Sequence, residues 1–516
     1  MRAPLRQPLM VILLGLGGLA MLIPASHAVV AEQFQVARAF ALSGVLLAGL
    51  ALLLALALTG FRPANVARSH LAQLAGGFLL VPLALALPLW LLMPELSLVD
   101  GWFEMVSCLT GTGATLIDPL AVPPTLHLWR GLVGWGGGLL ALVAAVSVLA
   151  PMTLGGFEVL SGSEWGRGAG GAIKGGGSKG RAAAVPQIAR IVDPSERMRR
   201  HAGQIAPAYA GLTLALWLGL TLAGDGALEA LIRAMAVLSV SGIVAQPAGA
   251  ALASGWVGEA LMVGFFVFAL SAAALPGAHR RLPGKGLGHD REFRLALLLA
   301  LLLLALLAAR AMLVPATLPA LWGGFFTTLS FLSGIGLVSA GWAAAPGGAL
   351  LPWLLLAALA LIGGGAATAS SGLRLVRLDA MLIHARHEAE RLVHPHAVGS
   401  LGAGARDLRR HGGQVAWIFA LLLILSLAVA LLGLTLLGIG LEPALALSIA
   451  ALTNVGPLAT LAAVGPADGA LAWAALPDGG KLMMIAVMLV GRLESLTLIA
   501  VFAPALWRRD ATRRPG

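Results

Sequence analysis

The sequence predicts an all-α polytopic membrane protein, with four span–pore-loop–span repeats in pseudo-fourfold arrangement around a central pore and two leading helices. Three observations lead there. With 59% hydrophobic and 11% charged residues among 516 and a mean hydropathy of +0.91, the chain is no ordinary water-soluble globule. Apolar runs near 9–30, 36–60, 71–93, 127–151, 203–223, 252–275, 295–314, 349–369, 414–438 and 480–506 each reach the roughly 20 helical residues a bilayer requires. Four short small-residue segments, each closing on glycine, recur between those runs.

The elements follow in order. Residues 1–62 hold the two leading helices. Arg2 and Arg6 before an apolar stretch that ends in Ala25-Ser26-His27-Ala28 have the layout of a cleaved secretory signal; the closely following second run favours a retained helix. Residues 71–152 form the first repeat and 153–202 a basic, Gly-rich linker. Repeats at 203–275, 295–370 and 414–506 follow, with a basic segment at 371–413 and a tail at 507–516. Within each repeat a short helix, for instance near 101–109 or 319–332, dips in and turns back at its glycine segment. Fixed-order self-similarity of this kind argues for stacked units around an axis.

The segments are Thr110-Gly111-Thr112-Gly113, Ser239-Val240-Ser241-Gly242, Ser333-Gly334-Ile335-Gly336 and Thr453-Asn454-Val455-Gly456. Small residues and a closing glycine let a backbone bend and present its carbonyls. Irregular backbone at membrane depth is tolerated where it lines a watery cavity, and a ring of carbonyls is how a cation sheds its hydration shell. Inward-pointing helix C-termini add partial negative charge there. Close helix packing through small residues is the competing reading for any one segment; four in equivalent places favour the pore.

Charge sets orientation. Arg62, Arg68, the group from Arg167 to Arg200, Arg280, Arg281 and Lys285, the group from Arg374 to Arg410, and Arg508 to Arg514 alternate with connections bearing Glu95, Asp100, Glu104, Asp118, Asp225, Glu229, Glu442, Asp468 and Asp478. The positive-inside rule places the basic set, and both termini, in the cytoplasm. The net charge of +11 thus reflects topology rather than nucleic-acid binding, and the acidic face would concentrate cations. Cys108 is the single cysteine, so no intramolecular disulfide forms.

Two further features stand out. Gly363 to Gly372 interrupts the eighth run with small and hydroxylated residues, a poor helix by propensity. Arg492 lies inside the last run, where a charge costs roughly 2.5–3.5 kcal/mol and must find the pore or a partner such as Glu494. His384-Ala385-Arg386-His387-Glu388 lacks the zinc-enzyme order, with its glutamate outside the histidine pair. The Gly-rich run at 168–177, with Lys174 and Lys179, lacks phosphate-loop spacing. Ionisable residues are too sparse in the spans for a membrane enzyme, and no metal or cofactor site is expected beyond the transported ion.

At this point a resemblance becomes specific. Phe103 through Thr115 is similar to the first pore loop and filter of the Trk/Ktr/HKT superfamily of potassium transporter membrane subunits. Leu128-Trp129-Arg130 with Gly134-Trp135-Gly136-Gly137 resembles the helix after it. Ile362 through Arg374 resembles the family's intramembrane loop, and Arg391-Leu392-Val393-His394-Pro395 the cytoplasmic stretch beyond. Asn454-Val455-Gly456-Pro457 and Gly491-Arg492-Leu493-Glu494 resemble the fourth filter and last helix. The likeness covers nearly the whole chain, and the two leading helices resemble the TrkH branch more than the KtrB branch.

The resemblance implies potassium uptake driven by membrane potential, with K+ bound by carbonyls of the four segments. It implies a gate built from Gly364, Gly365, Thr368, Ser370, Ser371, Gly372 and a pore-facing Arg492. It further implies a lipid-embedded homodimer in a bacterial inner membrane, resting on a cytosolic, nucleotide-binding TrkA-like partner. Val240-Ser241 and Gly334-Ile335 depart from the usual T-T-T-G or S-T-G-G filter patterns, which leaves a sodium-permeable or weakly selective pathway, or a non-conducting relative, as alternatives. In plant relatives serine in place of the first closing glycine accompanies sodium selectivity, so Gly113 favours potassium.

Overall fold

The computed structural model describes residues 7–59, 66–149, 194–274, 287–344, 349–393, 403–462 and 473–494. The linker before residue 194, Arg62, Arg280, Arg281, Lys285, His394, Pro395, Asp468 and the tail after Glu494 lie outside the described residues. Helix is the only regular structure among those described. Seven of these helices are long and apolar enough to cross a membrane, and four shorter apolar helices accompany them. Long Leu/Ala runs become helices because lipid offers no partner to a free backbone N–H or C=O.

The first apolar run forms α1 (Leu9–Ala20) and α2 (Leu22–Val30), separated at Met21, and the second forms α3 (Phe34–Ala57). In the first repeat α4 (Val66–Leu85) and α5 (Leu87–Leu92) descend, α6 (Leu98–Thr110) re-enters and α7 (Pro124–Ala144) leaves. The second contains α8 (Pro194–Leu222), the re-entrant α9 (Ala227–Ser239), then α10 (Gly255–Phe265) and α11 (Val267–Leu270). The third contains α12 (Arg291–Leu313), the re-entrant α13 (Leu318–Leu332) and α14 (Trp353–Ile362), with α15 (Leu375–Val393) beyond. The fourth contains α16 (Ala403–Leu436), the re-entrant α17 (Leu441–Leu452), α18 (Pro457–Ala462) and α19 (Asp478–Leu493).

Packing closes these units into a ring. The outgoing helix of each unit lies on the re-entrant helix of the next: α7 on α9, α10 on α13, α14 on α17, and α19 back on α6. The leading helices pack outside this ring, on α4 and α7. Re-entrant helices are almost wholly buried; every residue from Phe103 to Thr110 is. Outer spans instead expose leucines, such as Leu297, Leu298, Leu301 and Leu302 on α12 and Leu421 and Leu425 on α16. Apolar residues turned outward over whole spans fit a hydrocarbon solvent.

The eighth run is interrupted at its glycine-rich stretch: α14 ends at Ile362, where Gly363 turns to φ 70°, and a buried irregular loop follows. One expectation about the acidic connections is corrected. Glu104, counted among the acidic outer connections, is fully buried inside α6, and Asp225 is buried too, against Arg233.

Candidate functional site

Each re-entrant helix ends in the same turn. The second residue of each segment is left-handed: Gly111 at φ 72°, Val240 at 55°, Gly334 at 81° and Asn454 at 54°. The N–H of the third reaches back five residues, from Thr112 to Ser107 (2.8 Å), Ser241 to Ala236 (3.0 Å), Ile335 to Ser330 (3.0 Å) and Val455 to Ala450 (2.9 Å). This is the Schellman closure of a helix C-terminus, which satisfies carbonyls that would otherwise be orphaned. A β-branched Val240 in that conformation costs on the order of 1–3 kcal/mol and persists only because its surroundings enforce it.

The leading hydroxyl of each segment serves its own helix. Thr110 donates to the Val106 carbonyl (2.7 Å), Ser239 to Met235 (2.7 Å), Ser333 to Ser330 (2.8 Å) and Thr453 to Ile449 (2.8 Å). Residue types at this position therefore follow from helix termination. At the third position Thr112 and Ser241 bond the hydroxyl two residues before them, at 2.8 Å and 2.9 Å. Ile335 and Val455 are simply buried there, so a hydroxyl at this position is dispensable to the turn.

The four turns meet in cyclic order. A Cβ on Gly113 would collide with the Ser241 carbonyl oxygen, one on Gly242 with the Ile335 carbonyl oxygen, one on Gly336 with the Val455 side chain, and one on Gly456 with the backbone of Gly113 and Ala114. The closing residue of every segment thus abuts the next segment, and the fourth abuts the first. Asn454 Nδ2 also donates to Thr112 Oγ1 (2.9 Å), and the Gly456 N–H donates to the Thr112 carbonyl (2.6 Å). The outgoing helices come equally close: a Cβ on Gly137 would strike the Leu109 carbonyl, and one on Gly491 the Leu452 carbonyl.

The ring is not fully symmetric. After Gly113, Gly242 and Gly336 the chain runs on without helix, whereas Gly456 leads directly into α18. Its carbonyl accepts from the Trp473 indole (3.3 Å) and from the Ala459 N–H.

Buried side chains six residues before the leading hydroxyl brace three of the returning strands. Glu104 accepts from the Leu116 N–H (3.0 Å) and the Thr115 hydroxyl (3.1 Å), and is held by Arg130 of α7 at 2.7 Å. Arg233 joins Asp225 (3.1 Å) to Gln246 (2.8 Å). Thr327 accepts from the Ser339 N–H (3.1 Å). The fourth unit has Leu447 there. These braces went unread in the sequence, although spacing from the leading hydroxyl of each segment would have aligned Glu104, Arg233 and Thr327.

The loop between α14 and α15 lies against the turns. Ser370 Cβ is 3.3 Å from where a Cβ on Gly334 would sit. Gly364, Gly365, Thr368, Ser370, Ser371 and Gly372 are all buried, and Thr368 bonds Ser370 (2.8 Å) and the Gly365 carbonyl (2.7 Å). Other elements hold the loop in place. The Gly365 N–H donates to Ala269 of α11 (3.0 Å), and the Ala366 N–H to Glu292 of α12 (3.1 Å). Glu292 was not singled out in the sequence, though an acid in the first turn of a Leu-rich span is a signal of its own.

Arg492 stands between loop and turns. Its Nη1 donates to the Ala369 carbonyl, and its Nη2 lies 3.7 Å from the Cβ position of Gly111. Glu494 is not its partner: that carboxylate pairs with Arg374 (3.1 Å) and Arg377 (2.7 Å), and the Arg377 guanidinium lies 3.6 Å over the Phe419 ring. A guanidinium with one carbonyl partner among the described residues and no carboxylate from Glu494 puts positive potential beside the turns.

At the start of α6, Ser97 and Asp100 form a reciprocal capping box, and Lys481 of α19 pairs with Asp100 (2.5 Å). Burial pushes the Asp100 carboxyl up, but Lys481 and Ser97 together outweigh it and leave the group below its ordinary value. Among the described residues no cluster of histidine, cysteine and carboxylate could hold a metal.

Comparison with known proteins agrees with this architecture. Residues 296–509 match the family model TrkH, described as a cation transport protein. The Trk system potassium uptake protein TrkH of Vibrio parahaemolyticus is 27% identical over 426 residues, 80% of this chain and 81% of that one. Trk system potassium uptake protein TrkI of Halomonas elongata is 28% identical over 437 residues, 82% of this chain and 81% of that one. The crystal structure of the potassium transporter TrkH from Vibrio parahaemolyticus superposes with a TM-score of 0.75 at 24% identity, covering 97% of this chain and 98% of that one, a likeness of fold. The family is one of transporters rather than enzymes. By fold and by relatives the chain is similar to potassium uptake proteins of the Trk system, and its residues 296–509 match the TrkH model of cation transport proteins.

Proposed function

We propose that this chain carries potassium ions into the cell along the axis of its four turns, down the membrane potential. The observation that carries the reading is the cyclic contact of Gly113, Gly242, Gly336 and Gly456, each with the following segment. In this reading Thr110 to Gly113, Ser239 to Gly242, Ser333 to Gly336 and Thr453 to Gly456 supply carbonyls in place of water. The loop containing Gly364, Gly365, Thr368, Ser370, Ser371 and Gly372 is the gate, and Arg492 is a cationic barrier tied to it. The names of the relatives, potassium uptake proteins of a Trk system, support the choice of ion. They also favour a regulatory partner, here a cytosolic nucleotide-binding TrkA-like subunit beneath a homodimer. Basic loops favour a bacterial inner-membrane protein with both termini cytoplasmic.

The test is flux of potassium and sodium in liposomes reconstituted with wild type and Gly113→Ser. A serine Cβ at φ 71° would meet the Ser241 carbonyl, so potassium flux is expected to fall or shift towards sodium. Equal flux through both proteins would sink the filter assignment.

A further inference from the structure

A groove of about 650 Å³ opens between the leading helices and the first repeat, bounded by α1, α4, α7 and the start of α8. Its walls are apolar, with Leu13, Leu16, Leu140 and Val143 along its length and Trp129 among them, and it reaches Leu109, the residue before the first filter hydroxyl. One end is polar, formed by Gln7, His70, Glu196 and Arg199. Gln7, His70 and Glu196 lie at or near the starts of α1, α4 and α8, so the polar end sits at one side of the membrane, the side marked by basic residues.

We infer that this groove seats one anionic phospholipid, its acyl chains along α1 and α7 and its phosphate at Arg199. Charge selects the occupant. The turn of α8 at the polar end reads Glu196-Arg197-Met198-Arg199-Arg200-His201, three arginines against one carboxylate, with Glu196, Met198 and Arg199 lining the groove itself and the others beside it. Arg199 and Arg200 remain largely exposed while bonded to Glu196 at 3.1 and 2.9 Å. Basic residues beside a gap between spans are what an anionic headgroup recognises. Gln7 adds a directional contact: its Nε2 is committed to the Ala55 carbonyl (3.2 Å), while its Oε1 is buried with no partner among the described residues. A headgroup hydroxyl, as in phosphatidylglycerol, would donate to it. The groove is a concave slot within one chain, a shape suited to acyl chains rather than to the face of a second copy.

The test uses the full chain, purified in non-ionic detergent, with native mass spectrometry in added phosphatidylglycerol or phosphatidylcholine. Gly136 lines the groove and a Cβ there meets open space, so Gly136→Leu fills the slot, and leucine is the better helix former. This variant should melt no lower than wild type yet retain phosphatidylglycerol about tenfold less well, equivalent to roughly 1.4 kcal/mol. Arg199→Gln, at an exposed site, should bind both lipids equally and lose the preference for phosphatidylglycerol. Wild-type lipid retention by a folded Gly136→Leu would overturn the site, and an intact preference in Arg199→Gln would overturn the headgroup assignment. A changed oligomeric state in Gly136→Leu with unchanged lipid retention would assign the groove to a second copy and also overturn it.

Discussion

Two stretches of irregular backbone lie buried in this molecule, and they are held in opposite ways. Each of the four turns after the re-entrant helices is closed by a five-residue backward bond and a hydroxyl cap within its own helix, and the fourth is bonded in addition to the first, through the Gly456 N–H and Asn454. The loop from Gly363 to Arg374 also has internal bonds, but its central N–H groups and the Ala369 carbonyl are satisfied by Ala269, Glu292 and Arg492, on three other elements. A buried backbone group must be paired in either case. Local pairing survives a shift of one unit against another, whereas borrowed pairing does not. On the proposed gating role, this contrast predicts that the turns stay fixed while the loop moves.

The largest expected effect comes from attacking the fixed part at its brace. Glu104→Gln leaves Arg130 charged and buried without its carboxylate, a change worth about 3–5 kcal/mol. The melting temperature in detergent should fall sharply, with loss of flux in the surviving protein. Adding Arg130→Met should recover much of that stability, because no uncompensated charge is then left buried while the amide oxygen at 104 can still accept from the Leu116 N–H. A single variant that melts like wild type would show that the returning strand needs no brace.

Gly113→Ser comes next. Left-handed backbone costs a non-glycine residue about 1–2 kcal/mol, and here the added atom also meets the neighbouring turn. Flux should suffer more than melting temperature, because one contact of the ring opens while the helix cap remains. Equal losses in both would place Gly113 in general packing.

On the movable side, Arg492→Ala removes the tie to Ala369 and the positive potential beside Gly111. Basal potassium flux is expected to rise severalfold, with a change in stability within about 1–2 kcal/mol. Glu292→Ala should act in the same direction through the Ala366 N–H, and Glu292→Gln, which keeps an acceptor oxygen, should act less. Unchanged flux in folded Arg492→Ala and Glu292→Ala would mean that the loop is as fixed as the turns, and the contrast between the two regions would collapse.

Much of this was readable from the chain. Apolar runs marked the spans, and four recurring small-residue segments marked the turns, because helix termination by a left-handed residue demands Gly or Asn at most of them. Val240 broke that rule and was noticed only as a departure; its conformation shows that the tertiary ring, not local preference, sets the turn. Glu104 misled because an acid near an apparent loop reads as solvent-exposed, and its partner Arg130 is 26 residues away in a different helix. Glu494 misled for the same reason: proximity in sequence suggested Arg492, while the fold brought Arg374 and Arg377 to it. Charge pairs of long separation leave no periodic trace, so burial alone reveals them.

The smallest effect lies at the outer end of the fixed part, where α19 is joined to α6 through Lys481 and Asp100. The Asp100 carboxyl is held below its ordinary value once Lys481 and Ser97 have outweighed burial. A lowered carboxylate contributes stability that is present above its unfolded value and is lost as pH falls through the folded one. The pair is partly exposed, so its worth is at most about 1 kcal/mol. Acidification below the usual carboxylate range should therefore lower the melting temperature slightly more for wild type than for Asp100→Asn, which has no such charge to lose. The amide also keeps the capping contact to Ser97 approximately intact, so a matching acid response in both proteins would mean that α19 is fastened to α6 by packing alone. The first and fourth turns would then owe their contact to Asn454 and Gly456 rather than to charge at the rim.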